Sequence, residues 1–293
     1  MILVTGASGF VGSHLIKGLS EAGHLVRAFI RRPDEAKGVQ GERIETAIGD
    51  VGDPESLFNA VKGCDAVIHL VGIIQPGPGY SFKSVHVEGT RNVVEAARAA
   101  GTVRHFIYQS SLGTGPEAKG GYYETKYAAE RLTKSSGLDY TITRPSIIFG
   151  KMDGFTARMV KLVNQMPVVP IVGSGTVRLQ PVYIDDLVEV FKKIILNPAF
   201  YGKTLEVGGP EQLTFNEIMV DIKEALGSKK PTVHVPLCLV RPAAAVMERL
   251  LPHPPVTNEQ LDMLQKDNVC DCGSLGEFGI RPTTFKAGLK KFL

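Results

Sequence analysis

Residues 1–19 read MILVTGASGFVGSHLIKGL, and this stretch decides how the chain begins to fold. Ile2–Thr5 is a short apolar, β-prone run, and a helix-period segment, 11–22, follows it almost at once. Gly6, Gly9 and Gly12 fall at the junction. A glycine inside regular structure costs about 0.5–1 kcal/mol relative to alanine, so three at even spacing need a reason. One would permit the tight turn, one would let backbone approach a pyrophosphate, and one would permit close helix–strand packing. The helix N-terminus would then turn its unsatisfied N–H groups and positive dipole end toward the anion. A glycine triplet alone is a weak signal and could be a structural turn. Between a strand and a helix it predicts a dinucleotide site, with a loop comprising Gly6, Ser8, Gly9, Phe10, Val11 and Gly12.

The same rhythm continues outward. Segments 24–30 (HLVRAFI), 44–48 (IETAI), 65–71 (DAVIHLV), 105–109 (HFIYQ) and 140–145 (YTITRP) are further apolar runs. Helix-period segments lie between them at 54–62, 83–100 and 122–135. Strand and helix alternate with short loops, which predicts an α/β fold: a doubly wound, parallel Rossmann sheet with helices on both faces. Strands buried on both faces read as continuous apolar runs, as these do. After Gly150 the rhythm loosens. Segment 165–175 (QMPVVPIVGSG) reads as a loop with one short strand, and 179–195 as a strand leading into a helix. A strand at 203–209 precedes a helix at 214–226, with Thr214 as N-cap and Glu217 completing a capping box. The expected division is a nucleotide-binding domain over 1–165 with a return strand and helix at about 177–208. A connecting loop at 166–176 and a smaller, irregular α/β annex over 209–293 complete it.

The bulk numbers suit such a protein. The chain has 293 residues, 43% hydrophobic and 22% charged, enough for a sizeable core. The net charge of +3 is scattered, with no basic run to suggest nucleic acid. Cys64, Cys238, Cys270 and Cys272 form no C-x-x-C pair, so no metal site is expected and reduced thiols are the default. The N-terminus enters a strand without a basic leader, and no apolar run approaches the roughly 20 residues of a membrane span. The expectation is a cytoplasmic protein acting on a small molecule, peripheral to a membrane if segment 238–252 docks there.

Around the loop, the end of the second strand should select the cofactor. An acidic residue there would bond the ribose hydroxyl of NAD. This chain has FIRRPDEA, with Arg31 and Arg32 in that place. Arginine donates in pairs and suits a 2′-phosphate, so NADP (NADPH) is expected over NAD; Asp34 is an exception only in the loop beyond Pro33. Asp50 and Val51 end the third strand. Asp50 could accept from the adenine amino group, or cap the helix beginning near Pro54, as Asp53 could. Leu70 and Gly72 end the fourth strand, where small Gly72 would let backbone approach the cofactor ribose. His69 reads as a core or sheet-edge histidine.

These residues, with YQSS (108–111), YYETK (122–126) and TRPSIIFG (143–150), make the chain similar to the short-chain dehydrogenase/reductase superfamily. The glycine spacing, LQPVYIDDLVEV (179–190) and LEVGGPEQLTFNEI (205–218) resemble its extended and atypical branches. The resemblance covers almost the whole chain and points to the group containing the nucleotide-binding accessory subunit of respiratory complex I. Sugar-nucleotide epimerases are more distant kin. The resemblance implies that Ser111 is the catalytic serine, with Ser110 able to substitute, and that Pro145 lies beside the nicotinamide. Tyr122 and Lys126, at i and i+4, share one helix face. A cation there favours phenolate and brings the tyrosine toward the range useful for acid–base work; Lys126 could also touch the nicotinamide ribose. Tyr123 points about 100° away around the helix. Two departures stand out: the segment from Ser111 to Tyr122 is short, and His86 stands where relatives often have asparagine.

Three functions compete. The first is NADP-dependent hydride transfer on a carbonyl or alcohol, using Ser111, Tyr122 and Lys126. The second is a nucleotide-sugar epimerase or dehydratase. The third is a non-catalytic NADPH-binding accessory protein that contacts a complex or membrane through CLVRPAAAVMERLLP (238–252), unless that helix merely packs in the core.

Overall fold

The computed structural model describes residues 1–118, 121–251, 254–270 and 275–293. Its elements begin β1 (Ile2–Thr5), α1 (Phe10–Glu21), β2 (Val26–Ile30), β3 (Ile44–Ile48), α2 (Pro54–Val61) and β4 (Ala66–His69). They continue α3 (Gly89–Ala100), β5 (His105–Gln109), α4 (Gly121–Lys134), β6 (Tyr140–Pro145), β7 (Ile148–Phe149), α5 (Gly154–Gln165) and β8 (Val169–Val172). Then come β9 (Arg178–Leu179), β10 (Val182–Tyr183), α6 (Ile184–Ile194), β11 (Lys203–Val207), β12 (Leu213–Thr214) and α7 (Phe215–Ala225). The last are β13 (Thr232–Val235), α8 (Leu237–Leu250), α9 (Asn258–Met263) and α10 (Phe285–Leu289).

Seven strands form one sheet in the order β11-β6-β5-β4-β1-β2-β3. The pairings from β6 through to β3 are all parallel. β1 and β4 are buried along their whole length, which is why they read as unbroken apolar runs, whereas edge strand β3 is largely open. Reversal of strand order beside β1 is the topological switch point at which doubly wound sheets bind ligands. Leu3, Phe29, Val67, Phe106 and Ile142 from the sheet pack against Leu57, Val93, Ala97 and Ala129 from the helices.

The segment 83–100 is not a uniform α-helix: Lys83–Glu88 is a π-helical stretch, and α3 begins at Gly89. Such wide turns are uncommon and concentrate at functional sites. Here the wide turn carries His86, which is buried.

By contacts the chain divides into two units. One comprises 1–145 and 187–206, the other 146–186 and 207–293. In the second unit β7 pairs with β10 and β8 with β13, both in parallel, while β9 and β12 are antiparallel. Phe149 packs on Tyr183 and Phe285, with ring centroids at 5.4 and 4.8 Å. The capping box at the start of α7, Thr214 with Glu217, forms as expected. α8 is not a core-packing helix: Ala244 alone is buried, while Leu239, Val246 and Leu250 are 66%, 55% and 74% exposed. Pro252, at the end of that sequence segment, lies outside the described residues, as does Cys272. Among the described residues no helix is long and apolar enough to cross a membrane.

Candidate functional site

The turn after β1 has the geometry the glycines suggest. Gly6 adopts φ +74°, in the left-handed region that disfavours any side chain. A β-carbon on Gly12 would run into the Gly6 carbonyl oxygen and come within 2.7 Å of Ala7 Cα. Gly9 is different. Its φ is an ordinary −73°, and a β-carbon there would meet only Gly6 O, at 3.2 Å. No side chain caps α1 and no acid lies in its first turn, although Asp53, Asp153, Thr214 and Thr257 cap other helices. The N–H groups of Phe10 and Val11 are thus left for an external anion, and the cradle fits a dinucleotide pyrophosphate.

At the end of β2 the structure brings in a residue that the sequence reading passed over. Glu35, rather than Asp34, turns back to the glycine loop: its carboxylate accepts from Ser8 Oγ at 2.8 Å and Arg31 N at 3.2 Å. Arg32 Nε lies 3.1 Å from the other Glu35 oxygen. Burial pulls the Glu35 pKa up, but these donors outweigh it and hold the carboxyl below its ordinary range. Among the described residues the Arg31 guanidinium makes no ion pair. Asp53, not Asp50, caps α2, by accepting from Glu55 N. The Asp50 carboxylate accepts from Gly52 N at 2.7 Å, and Asn92 Nδ2 donates to the Val51 carbonyl.

The second half of the site is built on α4. Lys126 is 3% exposed, donates to the Gln109 carbonyl at 2.7 Å and lies over the Tyr108 ring, 4.8 Å from its centroid. Burial lowers its pKa to about 7, against the opposing pull of Glu130. The space a β-carbon on Gly72 would enter is bounded by Lys126 Nζ at 3.5 Å and His86 Nε2 at 3.6 Å. The strand end, the lysine and the histidine therefore converge. His86 Nε2 accepts from Ile73 N at 3.0 Å, so Nδ1 carries the proton and donates to Thr125 Oγ1 at 2.9 Å. Burial, then the Lys126 charge, push the His86 pKa down to about 3, so the ring is neutral. Tyr122 stands edge-on to it, centroids 5.5 Å apart, and edge-on to Phe82 at 6.1 Å. Tyr123 lies instead against Gly113, which adopts φ +90° just after Ser111.

Ser111 is half-buried, and its Oγ reaches the Leu112 carbonyl at 3.3 Å. Ser110 is buried on Thr114, at 3.5 Å. Pro145 is buried, and its carbonyl accepts from Leu112 N at 2.9 Å, tying β6 to the serine turn. Nearby, Gln109 Oε1 and Thr143 Oγ1 are buried with no hydrogen-bond partner among the described residues. Arg144 is spent on structure: it forms a two-pronged bond to fully buried Glu130, at 2.8 and 2.7 Å. His69 is a core histidine, held between Thr5 and Thr90 at 2.6 and 3.0 Å. Of the residues missed, Thr125 stood inside YYETK and Glu35 inside FIRRPDEA. Neither carries a sequence signal apart from its place in the fold. A cavity of about 390 Å³ lined by Arg27, Ile48, Asp53, Glu55 and Asn59 shares no residue with this site.

This geometry defines a dinucleotide-binding α/β protein of the Rossmann class. The family described as NAD(P)H-binding matches residues 6–164, more than half of the chain, and the chain belongs to that family. Its likenesses put it in the extended short-chain dehydrogenase/reductase-like group, among oxidoreductases. A ceramide reductase of Caulobacter vibrioides is 29% identical over 236 residues, 80% of this chain and 74% of its own length. The mitochondrial NADH-ubiquinone oxidoreductase 40 kDa subunit of Neurospora crassa is 25% identical over 287 residues, 95% of this chain and 75% of its own length. A nucleoside-diphosphate-sugar epimerase structure from Staphylococcus aureus shares the fold with a TM-score of 0.76, at 24% identity over 99% of each chain.

Proposed function

We propose that the protein is an NADPH-dependent oxidoreductase acting on a carbonyl or alcohol of a small molecule. The convergence of Lys126, Gly72, His86 and Tyr122 at the open ends of β4 and β5 carries this reading. Gly6, Ser8, Gly9, Phe10, Val11 and Gly12 would hold the pyrophosphate, Arg31 the 2′-phosphate, and Asp50 and Val51 the adenine. Leu70, Gly72 and Pro145 would flank the nicotinamide half, with Lys126 donating to its ribose. When bound, the nicotinamide supplies or accepts the hydride. Tyr122 gives the matching proton to the carbonyl oxygen in reduction and takes it back in oxidation. Ser111 hydrogen-bonds that oxygen. Lys126 in its protonated form, which a pKa of about 7 keeps populated at neutral pH, stabilises the phenolate left behind. The ceramide reductase relative supports a reductase reading. Gln109 Oε1 and Thr143 Oγ1, buried and without a partner among the described residues, offer further acceptors at that end of the sheet.

A second reading has two observations in its favour. Leu239, Val246 and Leu250 expose an apolar stripe on α8, and a complex I subunit is among the relatives. In that reading the cofactor is held while 238–252 contacts a protein complex or membrane surface. The test is calorimetric titration of NADPH and NADH into wild type and Arg31→Asp. The expected outcome is a preference of tenfold or more for NADPH, reversed or abolished in the variant because a repelling charge replaces a phosphate partner. A tenfold preference of wild type for NADH would overturn the NADPH assignment. Native mass spectrometry would identify any nucleotide that co-purifies.

A further inference from the structure

We propose that the Glu35 carboxylate is this protein's own occupant of the 2′-phosphate position, and that NADPH enters by displacing it. The inference rests on the NADPH reading above. Three groups of different kinds converge on Glu35: the Ser8 hydroxyl and the Arg31 backbone N–H donate to it, and the Arg32 guanidinium pairs with it as an ion. A hydroxyl, an amide and a guanidinium around one point recognise an oxyanion, and each bond is strengthened when the acceptor is charged. They come from the glycine loop and the end of β2, where the adenosine ribose of a bound dinucleotide would lie. An anion from solvent and the Glu35 carboxylate cannot both hold them.

The surroundings suit a displaceable group. The Glu35 side chain is 15% exposed, whereas Arg32 and Asp34 beside it are 61% and 74% exposed. It rides on a short 3-10 turn, Pro33–Gly38, none of whose residues is buried, so little packing opposes its outward swing. A cavity of about 280 Å³ lined by Ser8, Asp34, Glu35, Gly38 and Val39 opens next to the carboxylate. Its lowered pKa keeps it ionised at neutral pH. A 2′-phosphate must therefore replace a charged competitor already in place, whereas a cofactor with a bare 2′-hydroxyl need not. Glu35 thus weakens NADPH binding selectively and narrows the preference that Arg31 and Arg32 create.

The test uses 2′,5′-ADP and 5′-AMP as probes, titrated by calorimetry into wild type, Glu35→Gln, Asp34→Asn and Arg31→Ala. Glu35→Gln removes the charge with little change of shape. It should tighten 2′,5′-ADP by about tenfold, the worth of about 1.4 kcal/mol, and leave 5′-AMP unchanged. Asp34→Asn, an acid that touches only Arg32 of the cluster, at 3.6 Å, should change both probes far less than Glu35→Gln changes 2′,5′-ADP. If Glu35→Gln leaves 2′,5′-ADP unchanged while Arg31→Ala weakens it, displacement is wrong and the NADPH reading stands. If neither wild type nor Glu35→Gln distinguishes the two probes, the NADPH reading fails and the displacement with it. Weakened 5′-AMP binding in Glu35→Gln would identify the carboxylate as a partner of the 2′-hydroxyl, which also overturns the proposal.

Discussion

Gly9 and Gly12 look alike in sequence and differ in what they permit. A β-carbon on Gly12 strikes the Gly6 carbonyl oxygen, so Gly12→Ala should cost roughly 1–3 kcal/mol of stability as the turn is forced open. Gly9 has ordinary dihedrals and one close neighbour, Gly6 O at 3.2 Å, so Gly9→Val should cost less stability than Gly12→Ala while losing dinucleotide affinity. Its branched side chain would stand in front of the uncapped N-terminus of α1. Melting curves and NADPH titrations of the two variants separate the roles; a Gly9→Val protein that binds at wild-type affinity would contradict the pyrophosphate cradle. The spacing of the glycines was legible in the sequence, and so was the strand-to-helix context that gives it meaning. Glu35 was not. Three charged residues follow Arg31 within four positions, and which of them turns back to Ser8 depends on how the chain leaves Pro33.

At the scale of elements, α4 carries Tyr122, Thr125 and Lys126 on its first turns and is anchored farther along by Glu130. The Arg144–Glu130 pair clamps it to β6. Arg144→Ala would leave the Glu130 carboxylate buried without its partner, and should cost about 3–5 kcal/mol. Urea melts of Arg144→Ala should show that loss, and those of the double variant Arg144→Ala/Glu130→Ala should show part of it restored. A loss under 1 kcal/mol in the single variant would mean that the clamp is not what holds α4. This pair joins residues 14 apart on different elements, and no local pattern announces it. The strands and helices themselves were legible because doubly buried strands are apolar throughout and the helices keep one apolar face. The π-helical stretch at 83–88 was not, since the periodicity of 83–100 runs through it without a break. His86 was noticed as a departure from relatives, but its bonds to Ile73 and Thr125 depend on that widened turn.

Among the described residues of the whole molecule, three buried histidines tie distant elements together. His69 links β1 to α3, His86 links the end of β4 to α4, and His105 links β5 to Thr141 and to Leu196 N. Burial is the first cause of lowered pKa values in all three, to about 3, 3 and 4. Below the free histidine value of about 6.5 the unfolded chain binds protons that the folded chain does not. Stability from this source is therefore full above that value and is lost as the pH falls toward 4. The slope approaches about 1.4 kcal/mol per pH unit for each histidine. Chemical denaturation at pH 7.5, 6 and 5 should show the decline, and His105→Gln should make it shallower. An unchanged slope in that variant would remove His105 from the account. Hydride transfer with Tyr122 as the proton donor is tested by following NADPH oxidation with a panel of ketones, quinones and nucleotide sugars. Wild type, Tyr122→Phe and Tyr123→Phe are compared under the same conditions. Tyr122→Phe should bind NADPH as wild type does, because the ring against His86 and Phe82 survives, and should lose turnover by about 10²–10⁴. Tyr123→Phe should be nearly unaffected. Full activity in Tyr122→Phe would contradict the claim, as would an inactive Tyr123→Phe, and tight NADPH binding without turnover by wild type would favour the accessory role instead.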